Sequence, residues 1–352
     1  MSEPAPAPAA PSPLERLHPA YFAMAMATGI VSLAAHALGL RAAALGLFWL
    51  NCALYAGLWG ATLLRCARHL PAVRADLLHH GRSVGFFTVV PATCVLGSQW
   101  LLIAGAWRVA FGLWLAGAAL LFLLTYAIMT VLTVRAPKPT LAEGLNGGWL
   151  LAVVAAQSCS VLGAQLAPGL GPWAPHVYFF SLAAWLAGGM LYIWIISLIF
   201  YRYLFFPLEP SDLSPPYWVN MGAVAISTLA GSQLAAAGES WPLLRELAPF
   251  VKGLTLLFWA TASWWIPMLV TLGVWRHVIR RFPLRYDPLY WGAVFPLGMY
   301  TLATHRLAGA LEVPFLLPIP QVALWVALAA WGATFLGFLG ALPATLRGLR
   351  GR

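Results

Sequence analysis

Ten apolar runs, near residues 20–39, 43–64, 84–104, 107–134, 146–167, 177–204, 217–237, 248–275, 288–308 and 321–346, leave this chain few ways to fold. About 20 helical residues cross the ~30 Å hydrocarbon layer of a bilayer. Strands of a membrane barrel would alternate polar and apolar over about ten residues, and these runs do not. The reading is an all-α polytopic membrane protein, with its transmembrane domain over 18–347, a disordered cytoplasmic tail over 1–17 and a short one over 348–352. Composition agrees, since 61% of residues are apolar and 9% charged, against about 25% charged in soluble domains. Cys52, Cys66, Cys94 and Cys159 show no metal-ligand spacing and read as free thiols beside apolar spans.

The net charge of +10 comes almost wholly from arginine. With a cytoplasmic N-terminus, fifteen basic residues fall on the inner side and five (Arg41, Arg108, Arg245, Lys252 and Arg306) on the outer. The positive-inside rule then places both termini in the cytoplasm, at the cell's inner (plasma) membrane. That use of the charge makes a nucleic-acid partner unnecessary.

A repeat runs through the spans. "VLGSQW" at 95–100 returns as "VLGAQL" at 161–166 and "LAGSQL" at 229–234, and the spacing extends to His36 and His305 with separations of 63, 66, 68 and 72 residues. Each unit holds two spans, so all copies cross in one direction, as parallel repeats about an axis along the membrane normal. Five helical hairpins in a ring follow. Even spans carry twelve tryptophans and odd spans four. Bulky aromatics suit a lipid face and small residues suit close packing, so spans 1, 3, 5, 7 and 9 form the inner ring.

Five helices about 8 to 10 Å apart would leave a lumen of roughly 2 to 3 Å radius, wide enough for small ions. None of the ten carboxylates lies in the middle of a span, which disfavours a proton relay or cation path. A neutral lumen with hydroxyl and amide donors favours anions. Its candidate lining is Thr28, Gly29, Ser32, Thr93, Gln157, Ser158, Ser227, Thr228 and Thr301, though each hydroxyl can instead bond a carbonyl of its own helix. Pro91 and Pro296 are expected to kink spans 3 and 9. Phe295 is the one large side chain flanking the second kink, and a phenyl ring there would plug so narrow a lumen.

"HPAYFAMAMATGIVS", "LNGGWLLAVVAAQSCSVLG", "PPYWVNMGAVAISTLAG" and "YWGAVFPLGMYTLAT" together resemble the tellurite-resistance/dicarboxylate transporter family, over about residues 18–346. That family includes bacterial TehA, slow anion channels of plant guard cells, and fungal malate and sulfite permeases. The resemblance implies five helical hairpins around a central pore, commonly in a homotrimer with one pore per subunit. It also implies a gating phenylalanine on the ninth span, which "VFPLG" matches at Phe295.

The leading expectation is channel-like transport of small anions (four-carbon dicarboxylate, sulfite or inorganic monovalent anions), with membrane lipid and small anions as partners and no cofactor. A proton-coupled malate or sulfite carrier is the alternative, with His36 or His305 carrying the proton. A haem-bearing oxidoreductase is a remote third reading, because His36, His176 and His305 lie toward the outer side but no span holds two histidines.

Overall fold

The computed structural model describes residues 12–350, and among them every regular element is a helix. The α-helices in chain order are α1 (Ala23–Ala37), α2 (Arg41–Arg68), α3 (Leu70–Leu78), α4 (His80–Ser83), α5 (Val89–Leu102), α6 (Trp107–Val134), α7 (Leu141–Gly144), α8 (Leu151–Leu166), α9 (Ala174–Phe205), α10 (Val219–Ala236), α11 (Pro242–Glu246), α12 (Ala248–Val274), α13 (Trp291–Ala310) and α14 (Pro318–Arg350). The expected N-terminal tail falls mostly outside the described residues. Its described end, 12–17, makes a turn in which the Glu15 carbonyl accepts from Arg65 at 3.0 Å.

Helices α1, α5, α8, α10 and α13 pack each on the next, and α13 returns to α1, closing a ring. Each carries one outer helix of its own hairpin, respectively α2, α6, α9, α12 and α14. Burial separates the layers. The most apolar windows of Pro19–Ala37 and His80–Leu102 are 83% buried, whereas those of the outer helices Arg41–Arg68 and Trp107–Val134 are 28% and 22% buried. Seven helical stretches are long and apolar enough to cross a membrane, and one of them, Gly147–Phe205, runs through both α8 and α9 across a bend at Gly171. Helices α10 and α13 fall outside the seven. Their polar residues include Asn220 and Thr304, which are fully buried and bonded to the outer-layer side chains Tyr203 and Trp259.

All five ring helices are entered in the same way, through a 3₁₀ turn at Pro19–Phe22, Val84–Thr88, Gly147–Leu150, Pro215–Trp218 and Pro288–Tyr290. Three of these turns have a side-chain cap, because His18, Asn146 and Asp287 accept from the N–H groups of Ala20, Gly148 and Leu289. Such caps satisfy donors that a helix start leaves orphaned. Pro91 is the third residue of α5, just after the 3₁₀ segment. Its missing N–H costs nothing in a first turn, so the change of helix type lies before it. Pro296 lies inside α13.

The repeated glycines explain how closely the layers approach. A Cβ on Gly97 would collide with Leu162 of α8 and crowd α6, one on Gly163 would collide with Ser181 of α9, and one on Gly231 with Thr255 of α12. The Gly-small-Gln motif thus marks where a ring helix admits its neighbours.

The expectation that bulky aromatics face lipid needs correcting for part of the set. Trp49, Trp194, Trp264 and Trp325 are exposed, but Trp114, Trp185 and Trp265 are buried. Buried indoles need an acceptor; Trp265 donates to the Tyr192 hydroxyl of α9 at 3.0 Å, and the ring supplies the acceptor for Trp114 and Trp185. Trp114 donates to the Cys159 carbonyl at 3.1 Å and Trp185 to the Ser227 carbonyl at 2.9 Å. Trp259 donates to Thr304 Oγ1 at 3.0 Å and Trp331 to Thr28 Oγ1 at 3.0 Å. In the first hairpin the Tyr55 hydroxyl pairs with Thr93 Oγ1 at 2.7 Å. Every outer helix is therefore stapled to the ring helix of the following hairpin, and α14 to α1.

Candidate functional site

The face of α13 that meets the ring axis follows from its contacts. Thr304 accepts from Trp259 of α12, and the Tyr300 hydroxyl pairs with Ser263 of the same helix at 2.8 Å. A Cβ on Gly298 would meet Ile30 and Val31 of α1, and Pro296 lies against Gly222 of α10. Phe295 is nine residues from Thr304, about two and a half turns at 3.6 residues per turn, so it points away from α12. With α1 and α10 on the flanks, that direction is the axis. Phe295 is 0% exposed.

The other candidates divide by the partners of their polar atoms. Thr28 and Thr93 bond the outer-layer aromatics Trp331 and Tyr55. Ser32 donates to the Ala44 carbonyl of α2 at 2.8 Å, and Gln157 Nε2 to the Trp185 carbonyl of α9 at 3.0 Å. Gly29 faces α2 and α5, since a Cβ there would lie 2.7 Å from Asn51 and 2.6 Å from Val95. Ser227, Thr228 and Thr301 donate to carbonyls of their own helices, those of Ala223, Val224 and Leu297. Ser158 donates to the Ala155 carbonyl. It lies on the side of α8 away from Gly163 and Gln157, both of which meet outer helices.

The repeated glutamines also separate. Gln99 accepts from Asn51 of α2 at 2.6 Å, whereas Gln165 accepts from Ser98 of the adjacent ring helix at 2.8 Å. Gln233 lines a pocket of about 820 Å³ with Ser232, Lys252, His305, Arg306 and Glu312. This pocket gathers two fixed cations and one carboxylate at the C-terminal ends of α10 and α13. At the opposite end the ring helices present their N-termini, where aligned peptide dipoles favour negative charge, amid the arginine-rich loops. There Asp76 bridges Arg65 at 2.7 Å and Arg82 at 2.5 Å. Burial pushes the Asp76 carboxyl up, but its bonds from Arg82 and Arg65 outweigh this and hold it below the usual range.

Sequence reasoning missed the staples and this pocket. A signal for the ring entrances was available: "HPAYF", "SVGFF", "NGGWL", "SPPYW" and "DPLYW" each set a potential cap, then Pro or Gly, then an aromatic pair or single ring.

A closed ring of buried helices inside an exposed apolar jacket, free of carboxylates within the ring helices, is the architecture of a polytopic membrane protein and agrees with a transport role. The voltage-dependent anion channel (SLAC1) family model matches residues 16–339, and the chain belongs to that family. The chain is 44% identical over 156 residues to an uncharacterized membrane protein of Mycobacterium tuberculosis, covering 44% of this chain and 79% of that one. It is 24% identical over 326 residues to an uncharacterized transporter of Methanocaldococcus jannaschii, covering 90% and 91%. To a sulfite efflux pump of Trichophyton rubrum it is 24% identical over 324 residues, covering 86% and 84%. Members of this family are channels and transporters, not enzymes, which removes the oxidoreductase reading.

Proposed function

We propose that this protein conducts small anions through the axis of the five-helix ring, with Phe295 as the gate. The observation that carries the reading is a fully buried phenyl ring on the axial face of α13, next to a helix-interior proline, inside a ring whose helices hold no carboxylate. Lys252 and Arg306 concentrate anions at one mouth, and helix dipoles with arginines do so at the other. Between them the ring holds only neutral groups, with the hydroxyl protons of Ser98 and Ser158 already committed to Gln165 Oε1 and the Ala155 carbonyl, so that an ion binds loosely enough to leave. Sulfite and other small oxyanions are the substrates most in keeping with the fungal relatives' name. Ten membrane-crossing helices, both termini in the cytoplasm of a cell whose inner membrane holds the protein, and a homotrimer with one passage per subunit belong to the same reading. Cross-linking in native membranes tests the last of these.

In proteoliposomes Phe295→Ala raises chloride, nitrate or sulfite flux at least tenfold, and Phe295→Leu raises it less. Unchanged flux in a folded Phe295→Ala protein removes the gate. A proton-coupled carrier is the second reading, favoured by His305, whose Nδ1 is buried without a partner at the Gln233 pocket. In that case a pH gradient alone drives uphill sulfite or malate uptake, and His305→Gln abolishes it. Under the channel reading, the current reverses at the anion's equilibrium potential at every pH.

A further inference from the structure

Around the base of α13, on the arginine-rich side, lies a cleft that the conduit does not use. It has two compartments. One, of about 240 Å³, lies against α12 and includes Leu269, Leu272, Gly273 and Arg276. The other, of about 360 Å³, lies against α14 and includes Val294, Leu297, Ala330, Ala333 and Gly337. Trp218, Leu284, Tyr290 and Ala293 line both, so the compartments meet beneath the 280–287 loop.

Arg276 is the feature that packing does not explain. It sits in a π-helical turn, Trp275–Ile279, at the end of α12 and is only 8% exposed. Its Nε has no hydrogen-bond partner, and among the described residues the side chain forms no ion pair. Its guanidinium carbon lies 4.3 Å from the centre of the Phe282 ring, which screens one face. A buried cation normally has a directly bonded counter-charge, whereas Asp287 and Tyr290 act on Arg276 only through space, without an ion pair, and π-turns recur at functional positions. Arg202, at the end of α9, shares the unpartnered Nε but differs in reaching both Tyr217 and Asp212. Arg285 lines the second compartment, and Arg280 and Arg281 precede it on the same short segment.

We infer that this cleft binds an anionic glycerophospholipid of the arginine-side leaflet, its phosphate on Arg276 and the upper part of one acyl chain in each compartment. Two observations select a lipid over a soluble anion. The walls below Arg276 are aliphatic and aromatic, and they lie between outer helices whose exposed residues face the bilayer. Basic pockets between membrane helices at the cytoplasmic surface are suited to anionic headgroups. The acyl compartment against α14 touches Val294 and Leu297, which bracket Phe295 and Pro296, so a seated lipid fixes the lower half of the gating helix. Lipid binding stands on the cleft alone. Its effect on flux rests on the proposed gate.

The test is native mass spectrometry of the full chain released from nanodiscs of phosphatidylglycerol mixed with phosphatidylcholine. Wild type retains phosphatidylglycerol with at least a tenfold preference. Arg276→Gln lowers that retention at least tenfold, and Arg276→Lys restores part of it. Ala333→Trp, at an exposed position on α14, fills one compartment without disturbing the ring, lowers retention, and keeps the test open should Arg276→Gln not fold. Equal retention of the two lipids, retention unchanged in both variants, or displacement of the lipid by millimolar glycerol 3-phosphate overturns the site. Replacing phosphatidylglycerol by phosphatidylcholine in proteoliposomes changes wild-type flux at least threefold and leaves Ala333→Trp unaffected. If Phe295→Ala leaves flux unchanged while Arg276 still governs lipid retention, the gate falls and the lipid site stands.

Discussion

The ring and its jacket differ in burial and in where their polar side chains lie. In α10 the buried residues include Asn220, Ser227, Thr228 and Ser232, whereas on α9 the exposed residues include Phe179, Ile193, Trp194 and Phe205. Lipid tails exert no hydrophobic drive toward the core, so what joins the layers is close approach at glycine and hydrogen bonding across helices. Glycine marks close approach on the faces where the layers meet, as at Gly117, Gly188 and Gly231, and open space where an outer helix faces away from the ring, as at Gly253.

A pair of identical substitutions puts this contrast at greatest risk. Gly231→Leu places a side chain where even a Cβ meets Thr255 and Trp185. Overpacking of this kind costs about 3 kcal/mol or more, and the expected result is loss of the monodisperse peak in size-exclusion chromatography. Gly253→Leu, on α12 where an added Cβ would find nothing within 4 Å, leaves that peak unchanged. Equal behaviour of the two would refute the assignment of layers.

A smaller effect isolates the role of the indoles. Trp185→Phe keeps an aromatic ring in place but removes the bond to the Ser227 carbonyl, and it lowers stability by about 1 kcal/mol. At Trp194, which is 61% exposed, the same change to Phe alters stability by less than about 0.5 kcal/mol. Unfolding in mixed detergent micelles reads both.

The smallest effect concerns the entry to α1. Burial, reinforced by Arg82, lowers the His18 pKa from 6.5 to about 4, and neutral His18 accepts the Ala20 N–H at 3.1 Å. Because the unfolded chain binds the proton more readily, stability from this group is complete above about pH 6.5 and is lost as pH falls toward about 4. The melting temperature in detergent should decline across that window. His18→Asn, which caps without titrating, should flatten part of the decline.

Much of the architecture is legible in the sequence because bilayer thickness and a two-span repeat leave little freedom. The run 107–134 coincides with α6, although sequence alone fixes its start near Trp107 only to within a few residues; in the structure Gly105, with φ 67, ends the turn before it. Phe295 stands out through its neighbour Pro296 and the narrowness of a five-helix ring. The hydroxyls are harder to place. Thr28 and Ser158 look alike in sequence, yet one bonds Trp331 and the other its own helix. That choice depends on which face of an inner helix meets a later hairpin, and apolar periodicity cannot supply it where every face is buried. Arg276 reads in sequence only as one more inner-side charge, because burial at a π-turn leaves no mark in composition.

The bond from Trp331 to Thr28 spans 303 positions of the chain. Four hairpins can dock in order of synthesis, each clasped by the one before. The first inner helix must wait for the last segment to leave the ribosome before its own clasp exists, so a nascent chain halted before Trp331 holds an open arc with one unguarded flank.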